Sequence, residues 1–438
     1  MIDQDFLKNN IKYFLHDLNE KLHFQATQKN ILNVAGQWCM VFSLFFMPLN
    51  KPLTSIFLFL ALIFSVTGKN FFDRLKAAIR EPVSKFCLVW FFILTAYALH
   101  EARNAESWSE LNVLKVFIYP LIASTLLTSN VWRQRGLLAF FSAVLLILTI
   151  SWAQFIEFFI LHNGAVLNPN NQYTVAKDYS QQALMTLVFF SLAMAFSRHD
   201  NFKKYKTILW IVAFLAIVNV LLVLQSRTAY VVAVPLLIFW LYQILKKTKI
   251  VVKTTVLLLI IFIALGFSFS PRVQHRIQEA KNDVTLYMSN KSATSVGVRF
   301  ELWKRSIPMI RSAPIFGHGL GQWRNQYELQ TKDIINFDGF RMKHPHQESL
   351  WILSEQGIVG YLIFILLLFC FFRRTRHFSE EDKNFYRSLL IIYVFFGLAN
   401  CVLLDFSHRH LFLLLLCCVP LSLKISPATT SAKKHEQV

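Results

Sequence analysis

The fold of this 438-residue chain is decided by stretches such as residues 136–162, which read GLLAFFSAVLLILTISWAQFIEFFILH. A helix of this length spans about 40 Å at 1.5 Å per residue, enough to cross the hydrocarbon of a bilayer. The run holds a single formally charged side chain, that of Glu157. A stretch this long and this apolar is typical of a transmembrane helix.

Similar apolar runs recur along the whole chain, of which 55% is hydrophobic and only 16% charged. We predict twelve spans, at residues 31–49, 52–67, 82–99, 111–128, 136–162, 181–197, 207–224, 229–245, 250–269, 348–372, 388–404 and 411–423. The expected fold class is therefore an all-α polytopic integral membrane protein. A disordered chain, a disulfide-rich secreted scaffold and a coiled coil are excluded by the same composition.

The net charge of +20 is distributed in a way that predicts the orientation of the spans. With residues 1–30 taken as cytoplasmic, nineteen Lys and Arg residues fall in the inward connections and five in the outward ones. The inward residues are Lys69, Arg74, Lys76, Arg80, Arg133, Arg135, Arg198, Lys203, Lys204, Lys206, Lys246, Lys247, Lys249, Lys253, Arg373, Arg374, Arg376, Lys383 and Arg387. The outward residues are Lys51, Arg103, Lys177, Arg227 and Arg409. Both termini are therefore predicted to be cytoplasmic. The basic residues do not gather on one face, as they would in a nucleic-acid-binding protein.

The predicted organisation has five parts: an inner segment over 1–30, spans one to nine over 31–270, an outward loop with helices over 271–347, spans ten to twelve over 348–424 and an inner tail over 425–438. Residues 1–30 lack the apolar core of a cleavable signal peptide, so we expect the first span to start insertion. All six cysteines fall within predicted spans and are expected to pack as small apolar residues, not as disulfides or metal ligands. They are Cys39, Cys87, Cys370, Cys401, Cys417 and Cys418.

The 77-residue outward loop breaks the pattern of short connections, and loops of this length are commonly functional. It carries twelve Lys or Arg residues against six Asp or Glu, which indicates an anionic ligand; a solvated basic surface is the alternative. Amphipathic helices are predicted over 273–288 and 296–312. Arg299 and Trp303 share one face of the second helix at i and i+4, while Glu301 and Arg305 can pair on another.

Several polar residues stand at membrane depth or at its outer edge, where ionisable groups are costly and often functional. Arg227 suits a phosphate ligand, or it snorkels to lipid headgroups. Asp405 could orient a histidine or arginine, or merely pair with Arg409. Lys115 is expected to pair with Glu157. Residues 316–321, FGHGLG, are interpreted as a flexible turn or a helix C-cap.

Three of these motifs, in this order and all on the outward side, together resemble the O-antigen ligase superfamily. The resemblance covers roughly residues 220–365, and Gln347 departs from it because relatives more often have asparagine after the histidine. The motifs are Ser226-Arg227-Thr228; Arg299-Phe300-Glu301-Leu302-Trp303 leading into Pro314-Ile315-Phe316-Gly317-His318-Gly319-Leu320-Gly321; and His346-Gln347-Glu348-Ser349-Leu350 leading into Glu355-Gln356-Gly357-Ile358-Val359-Gly360.

The resemblance implies a metal-independent, inverting glycosyltransferase of the bacterial inner membrane, with its active site facing the periplasm. Such an enzyme transfers a glycan from undecaprenyl diphosphate to an acceptor hydroxyl and requires no cofactor. Its partners are the lipid-linked donor, the acceptor and the surrounding membrane lipids. By position, His346 is the catalytic histidine, Arg227 and Arg299 bind the diphosphate, and four residues support them. The supporting residues are Asp405, Gln347, Trp303 and Glu355.

The acceptor and the wider function class stay open at the level of sequence. Lipid A-core ranks first, because the chain ends at Val438 soon after its last predicted span; a protein Ser or Thr, as on a pilin, and a growing glycan end are the alternatives within the superfamily. A twelve-span secondary transporter is the alternative from another class, although no internal repeat supports it. A purely structural membrane scaffold also stays open, although it gives no reason for polar groups to cluster on one face. A metal site is a further alternative. Its ligands would be His344, His346, His408, His410 and Asp405.

Overall fold

In the computed structural model the described residues are 31–100, 105–161, 173–176, 178–224, 226–246, 271–289, 294–331 and 342–418. Within these ranges the chain forms helices joined by turns and no strand. The prediction of an all-α protein is therefore confirmed for this part of the chain. The ninth predicted span, 250–269, lies outside the described residues.

The described ranges contain sixteen α-helices. They are α1 Ile31–Phe46, α2 Lys51–Thr67, α3 Phe71–Arg80, α4 Pro82–His100, α5 Ala105–Leu114, α6 Tyr119–Leu126, α7 Asn130–Leu161, α8 Tyr179–Phe196, α9 Lys206–Val218, α10 Arg227–Leu245, α11 Pro271–Met288, α12 Ser295–Ser312, α13 Trp323–Thr331, α14 Glu348–Arg374, α15 Glu380–Gly397 and α16 Phe406–Cys418. Short 3₁₀ turns lie at Lys115–Ile118, Asp200–Tyr205 and Thr375–His377, and a π-helical turn at Asn219–Val223 extends α9.

Five helical stretches in the described residues are long and apolar enough to cross a membrane. They are α7, α8, Asp200–Val223, α10 and α14. A sixth span forms if α2 and α3, bent by 114° at their junction, are counted together. Three shorter apolar helices, Ile31–Phe46, Val83–Leu99 and Phe406–Cys418, accompany them. The coarse prediction of several apolar spans is confirmed, whereas the count of twelve stays a prediction.

Two predicted spans differ in shape from the prediction. The span over 111–128 is broken into α5, a 3₁₀ turn and α6, because Pro120 in the first turn of α6 has no N–H with which to continue the preceding helix. The span over 388–404 belongs to α15, which begins at Glu380 and ends at Gly397; residues 398–405 form turns instead. Apolar length alone predicts these segments poorly, since hydropathy does not register a break in backbone hydrogen bonding.

Helix α8 forms the centre of the bundle. It packs against α9, α10 and α15, and 89% of its span is buried, whereas the spans of α7 and α14 are 44% and 39% buried. Large apolar side chains such as Phe214, Ile238 and Leu362 are exposed on the outer helices. Exposed apolar surface on helices whose backbone groups are satisfied internally is what lipid contact requires.

The two helices predicted in the long loop are confirmed as α11 and α12, and α13 follows them. Helices α12 and α13 have a small core of their own, in which Leu302 and Trp323 are fully buried. The indole N–H of Trp323 donates to Ser306 Oγ at 3.0 Å, and its ring stacks on Tyr327 at 5.0 Å. Contacts with α14 join this group of helices to the bundle.

Candidate active site

The candidate site lies at the N-terminus of α14, where the chain turns sharply before the helix begins. Gln347 is the N-cap, and its Oε1 accepts the backbone N–H of Leu350. A glutamine therefore performs here the capping that a shorter Asn or Asp side chain usually provides. His346 has φ +52°, a left-handed conformation that non-glycine residues rarely adopt. A buried carbonyl anchors this turn, since Trp303 of α12 donates its indole N–H to Pro345 O at 3.1 Å.

The side chain of His346 is half-buried among groups that act on its charge. Burial lowers its pKa first, and the nearby positive charge of Arg299 lowers it further, while a hydrogen bond with Asn400 acts in the opposite direction. The ring of His344 lies 4.5 Å away, centroid to centroid, at an angle of 64°. Within the described residues, the buried Nδ1 of His346 has no hydrogen-bond partner. The neutral imidazole is therefore favoured at neutral pH.

The two arginines predicted from the motifs come from separate helices. Arg299 is on α12, and its pKa is lowered by burial and by the positive charge of Arg227, against the effect of Tyr179. Arg227 is the first residue of α10, after the N-cap Ser226. The electrostatic contacts thus connect Arg227 to Arg299 and Arg299 to His346, although the three residues are 72 and 47 positions apart in sequence.

Arg227 already has anionic partners. Its Nη1 donates to Asp283 Oδ2 at 2.8 Å and its Nη2 to Glu279 Oε2 at 3.1 Å. Both carboxylates lie on one face of α11, four residues apart. The guanidinium fork therefore contacts two separate carboxylates where the sequence predicted a diphosphate, and 29% of the Arg227 side chain stays exposed.

Asp405 directly precedes α16, and hydrogen bonds from two segments of the chain hold its carboxylate in place. Its Oδ2 accepts from Gln181 Nε2 at 2.8 Å, and its Oδ1 accepts the backbone N–H groups of Ser407 at 2.8 Å and His408 at 3.1 Å. Burial raises its pKa, but His408 and these donors outweigh burial and hold the pKa below its usual value. Of the alternatives left open by the sequence, the histidine contact is present: His408 Nδ1 lies 3.3 Å from Asp405 Oδ1. The charge of Asp405 also reaches His344.

The glycine-containing segment 314–321 forms turns after the end of α12, as predicted for 316–321, and these turns cross α14 in a defined path. It lies across a break in α14 at Gly357, where φ is +62°. The backbone N–H of His318 donates to Ser354 O at 2.9 Å, and that of Ile358 donates to Pro314 O at 2.9 Å. Gly317, Gly319 and Gly321 all have positive φ. Glycine is needed at Gly317 in particular, because a Cβ there would lie 2.3 Å from the backbone of Glu355.

Glu355 holds the far end of this crossing. Its side chain is 1% exposed, and its two oxygens accept the backbone N–H groups of Gly321 at 2.9 Å and Trp323 at 3.2 Å. Through these two hydrogen bonds, Glu355 attaches the segment before α13 to α14. Trp303 acts in the same way on the other side, through Pro345.

Three further polar residues lie at the site and were missed by sequence analysis. Glu348 is buried in the first turn of α14 and accepts the backbone N–H of Leu403, Asn400 acts on the pKa of His346, and Glu110 of α5 lies close enough to Lys343 and Arg409 to be affected by their charges. The pKa of Glu110 is raised to about 7 by burial, against the positive charges of Arg409 and Lys343. Glu348 stood inside a quoted motif, but nothing in the sequence connects Asn400 or Glu110 with residue 346.

Of the two other ion pairs predicted from the sequence, one is present and one is absent. Arg305 and Glu301 form the expected ion pair, with Nη2 and Oε1 2.6 Å apart. Lys115 does not pair with Glu157; its Nζ donates to Asn112 Oδ1 at 2.9 Å. Both Lys115 and Glu157 are exposed, and a residue three positions away in a helical turn is the nearer partner.

His408 and His410, two of the histidines proposed as alternative metal ligands, pack against separate aromatic rings. His408 packs on Phe396 at 4.6 Å between ring centroids, whereas His410 packs on Phe406 at 4.1 Å. In the described part of the chain, no group of three His, Cys, Asp or Glu side chains is arranged to hold a metal ion.

Comparison with known proteins identifies the region that carries this site. Residues 211–365 match the family described as O-antigen ligase, which confirms the resemblance inferred from the motifs. A protein of Escherichia coli K12 named O-antigen ligase is 24% identical over 332 residues, which are 73% of this chain and 75% of that protein. An uncharacterized protein of Haemophilus influenzae is 27% identical over 158 residues, 34% of this chain and 38% of that protein.

Proposed function

Because residues 211–365 belong to the O-antigen ligase family, we propose that the protein is a membrane glycosyltransferase that passes a glycan from undecaprenyl diphosphate to an acceptor hydroxyl. The observation that carries this proposal is the proximity of two arginines to a partly buried histidine at one end of the bundle. The preferred reaction transfers O-antigen to lipid A-core, in line with the name of the Escherichia coli relative.

In the proposed reaction His346 is the general base. The acceptor oxygen attacks the anomeric carbon, its proton passes to the imidazole of His346, and the bond between that carbon and the diphosphate oxygen breaks with its electron pair on the oxygen. The products are the glycosylated acceptor and undecaprenyl diphosphate. A direct displacement of this kind inverts the anomeric centre.

The environment of His346 suits this role. Burial and the charge of Arg299 lower its pKa, so the ring is neutral and able to accept a proton at neutral pH. A sugar or serine hydroxyl is a poor nucleophile, and a base positioned beside it typically contributes about 10²- to 10⁴-fold to the rate.

The arginines are proposed to bind the diphosphate and to stabilise the charge that develops on the leaving oxygen. Two guanidinium groups supply the positive charge that a divalent cation would otherwise provide, so the proposed reaction uses neither a metal nor a cofactor. Two N–H donors of Arg227 are bonded to Asp283 and Glu279, so the diphosphate would compete with these two carboxylates for the guanidinium.

We further propose that the protein lies in the bacterial inner membrane, with both termini cytoplasmic and the site facing the periplasm. Activated nucleotide sugars are confined to the cytoplasm, so a transferase on the outer side needs a lipid-linked donor. The two alternatives within the family are a protein O-oligosaccharyltransferase, as for a pilin, and an O-antigen polymerase. They use the same base and donor and differ in the acceptor. No contact among the described residues favours the secondary-transporter alternative.

The test is transfer of glycan from a lipid-linked donor by the purified full-length protein in nanodiscs. His346→Ala is expected to lower the rate by about 100-fold or more. The matched control is His199→Ala, because His199 lies beyond the opposite end of α8. Transfer by His346→Ala at the wild-type rate would overturn the assignment of the base.

Expression in a strain that lacks its own ligase identifies the acceptor. Glycan appearing on lipid A-core supports the preferred reaction, and glycan appearing on a pilin or on longer glycan chains supports one of the two alternatives. Uptake of a labelled solute by proteoliposomes without any glycan transfer would refute the proposed function.

A further inference from the structure

Helix α14 has a different surface on each side of its break at Gly357. In residues 348–357 every side chain is buried or half-buried, so this part of the helix is covered by protein. From Ile358 onward, exposed apolar side chains recur at the spacing of one helical face. We call this face the exposed stripe. It consists of Ile358, Leu362, Ile365, Leu366, Phe369 and Phe372.

The part of α14 that carries the exposed stripe is short for a membrane span. Residues 358–374 are 17 residues, which at 1.5 Å per residue cover about 25 Å. The hydrocarbon of a bilayer is about 30 Å thick, so about 5 Å of it lies beyond this part of the helix. Arg373 and Arg374 occupy the far end, where basic residues mark the edge of the membrane. The missing length therefore falls at the end next to Gly357.

The space beside Gly357 is filled by residues 314–321, which we call the crossing segment. A break in a helix leaves backbone groups unpaired, and at hydrocarbon depth these must be satisfied within the protein. The crossing segment satisfies two N–H groups after the break and two carbonyls before it, so the break is compatible with lipid around it. The four bonds are Ile358 N–H to Pro314 O at 2.9 Å, Val359 N–H to Ile315 O at 3.2 Å, His318 N–H to Ser354 O at 2.9 Å and Gly319 N–H to Glu355 O at 3.0 Å.

Two large apolar side chains of the crossing segment are exposed. Ile315 is 57% exposed and Phe316 61%. Their backbone lies directly against the first residues of the exposed stripe, because Ile315 O accepts the N–H of Val359 and lies 2.3 Å from where a Cβ at Gly357 would be. The two side chains therefore continue the apolar surface of α14 at the level where its lipid-facing part is too short.

We propose that Ile315 and Phe316 insert into the leaflet nearer the candidate site, where they contact lipid acyl chains and mark the boundary of the hydrocarbon. Their partner is the bilayer, because their apolar surface is continuous with a face of α14 that itself suits lipid contact. The span predicted over 348–372 then contacts lipid only from residue 358 onward. Residues 348–356 lie in the protein layer outside the hydrocarbon. This proposal is independent of the reaction that the protein catalyses.

The experiment measures the depth of spin labels in the full-length protein in phospholipid nanodiscs. Single cysteines replace Phe316 and, in a second variant, Ile315, both in a Cys370→Ser background in which the other native cysteines are buried. Both positions are more than half exposed, and surface substitutions of this kind usually change stability by less than about 0.5 kcal/mol. Power-saturation EPR then compares collisions with oxygen, which concentrates in lipid, and with a water-soluble nickel chelate.

Two control positions give the limits of the scale. Leu362→Cys lies on the exposed stripe and reports lipid, whereas Glu328→Cys on α13, with a half-exposed carboxylate, reports water. Labels at Phe316 and Ile315 are expected to collide mainly with oxygen, at a depth of about 5–10 Å below the headgroup boundary. The label at Leu362, four residues beyond Ile358, should lie about 6 Å deeper.

Two results would overturn the proposal. Labels at Phe316 and Ile315 that collide with the nickel chelate as freely as the label at Glu328 would show that the two side chains lie in water. Labels shielded from both reagents would show that protein, such as a second copy of the chain, covers them. The samples contain no glycan donor, so neither result depends on the proposed reaction, and a protein inactive in transfer would still give a valid depth.

Discussion

At the scale of single residues, Arg227 is the clearest case of a predicted residue with unexpected partners. The sequence indicated a guanidinium ready for a phosphate, and the structure shows it bonded to Asp283 at 2.8 Å and to Glu279 at 3.1 Å. Carboxylates are weaker mimics of a diphosphate, with the same bidentate preference for arginine. The two acids on α11 are therefore competitors of the proposed donor at Arg227.

This competition gives a test by substitution. Asp283→Asn removes one charge from the pair while keeping the shape of the side chain, so the donor has less to displace. A partly exposed ion pair of this kind contributes about 1 kcal/mol, so we expect the donor KM to fall roughly fivefold at an unchanged kcat. The measurement is initial-rate kinetics over a range of donor concentrations.

The matched control is Glu328→Gln, which removes a carboxylate from the same group of helices but pairs only with Arg324 among the ion pairs of the described residues. It should leave the donor KM unchanged. A KM for Asp283→Asn that rises or stays constant would show that the donor does not compete for Arg227.

Short sequence motifs predict only some of the residues of the site. His346, Arg227 and Arg299 were found because each belongs to a short pattern with recognisable chemistry. Asn400 belongs to none, since it lies 54 positions after His346 in a turn that hydropathy had assigned to a span. A contact between residues so far apart depends on how the helices pack. The residues next to Asn400 in the sequence therefore do not predict it.

At the scale of elements, α14 combines a membrane-length helix with an internal break, and the candidate site lies at its N-terminus. Gly357 has φ +62° and ψ −162°, and the segment 314–321 occupies the space that the break opens. A Cβ at Gly357 would lie 2.3 Å from Ile315 O. Without the break at Gly357, α14 would leave no room for the crossing segment 314–321.

Gly357→Ala is accordingly expected to destabilise the protein. The left-handed conformation costs a residue with a side chain about 1–2 kcal/mol, and the steric overlap adds about 1–3 kcal/mol. We expect a lower temperature of thermal unfolding in detergent and a loss of transfer, because the crossing segment attaches α12 and Arg299 to α14.

Gly397→Ala serves as the comparison. A Cβ there would lie 3.4 Å from Glu348 Cβ, an ordinary van der Waals distance, and the residue does not have positive φ. Its unfolding temperature should stay close to that of the wild type. Equal stability of the two alanine variants would contradict the role assigned to the break.

At the scale of the whole molecule, the two ends of α14 carry different residues: the candidate site at its N-terminus and basic side chains at its C-terminus. As one straight helix, its 27 residues would span about 40 Å. His346 and Gln347 precede its first turn, whereas Arg373 and Arg374 form its last turn, near the ion pair of Lys246 with Glu380. The positive-inside rule would place the second end in the cytoplasm and the site outside.

This orientation is testable by labelling in intact cells. Glu328→Cys on α13 should react with a membrane-impermeant maleimide applied outside, because its side chain is 50% exposed at the site end. Glu380→Cys, 61% exposed at the other end, should react only after the membrane is permeabilised. A Cys370→Ser background removes the one native cysteine that is not fully buried. The reverse pattern would contradict the predicted topology.

By itself, the sequence determined the class of the protein, the presence of apolar spans, the two helices of the long loop and the motifs that hold His346, Arg227 and Arg299. These features follow from local apolar length, helical periodicity and short patterns, which neighbouring residues define without reference to the fold. The tertiary structure alone decided that α14 is broken at Gly357, that Arg227 bonds to α11, and that Glu348 bonds to the turn after α15. Each of these depends on distances between segments that are remote in the chain, and hydrogen bonds and ion pairs form only where packing brings such segments within about 3 Å.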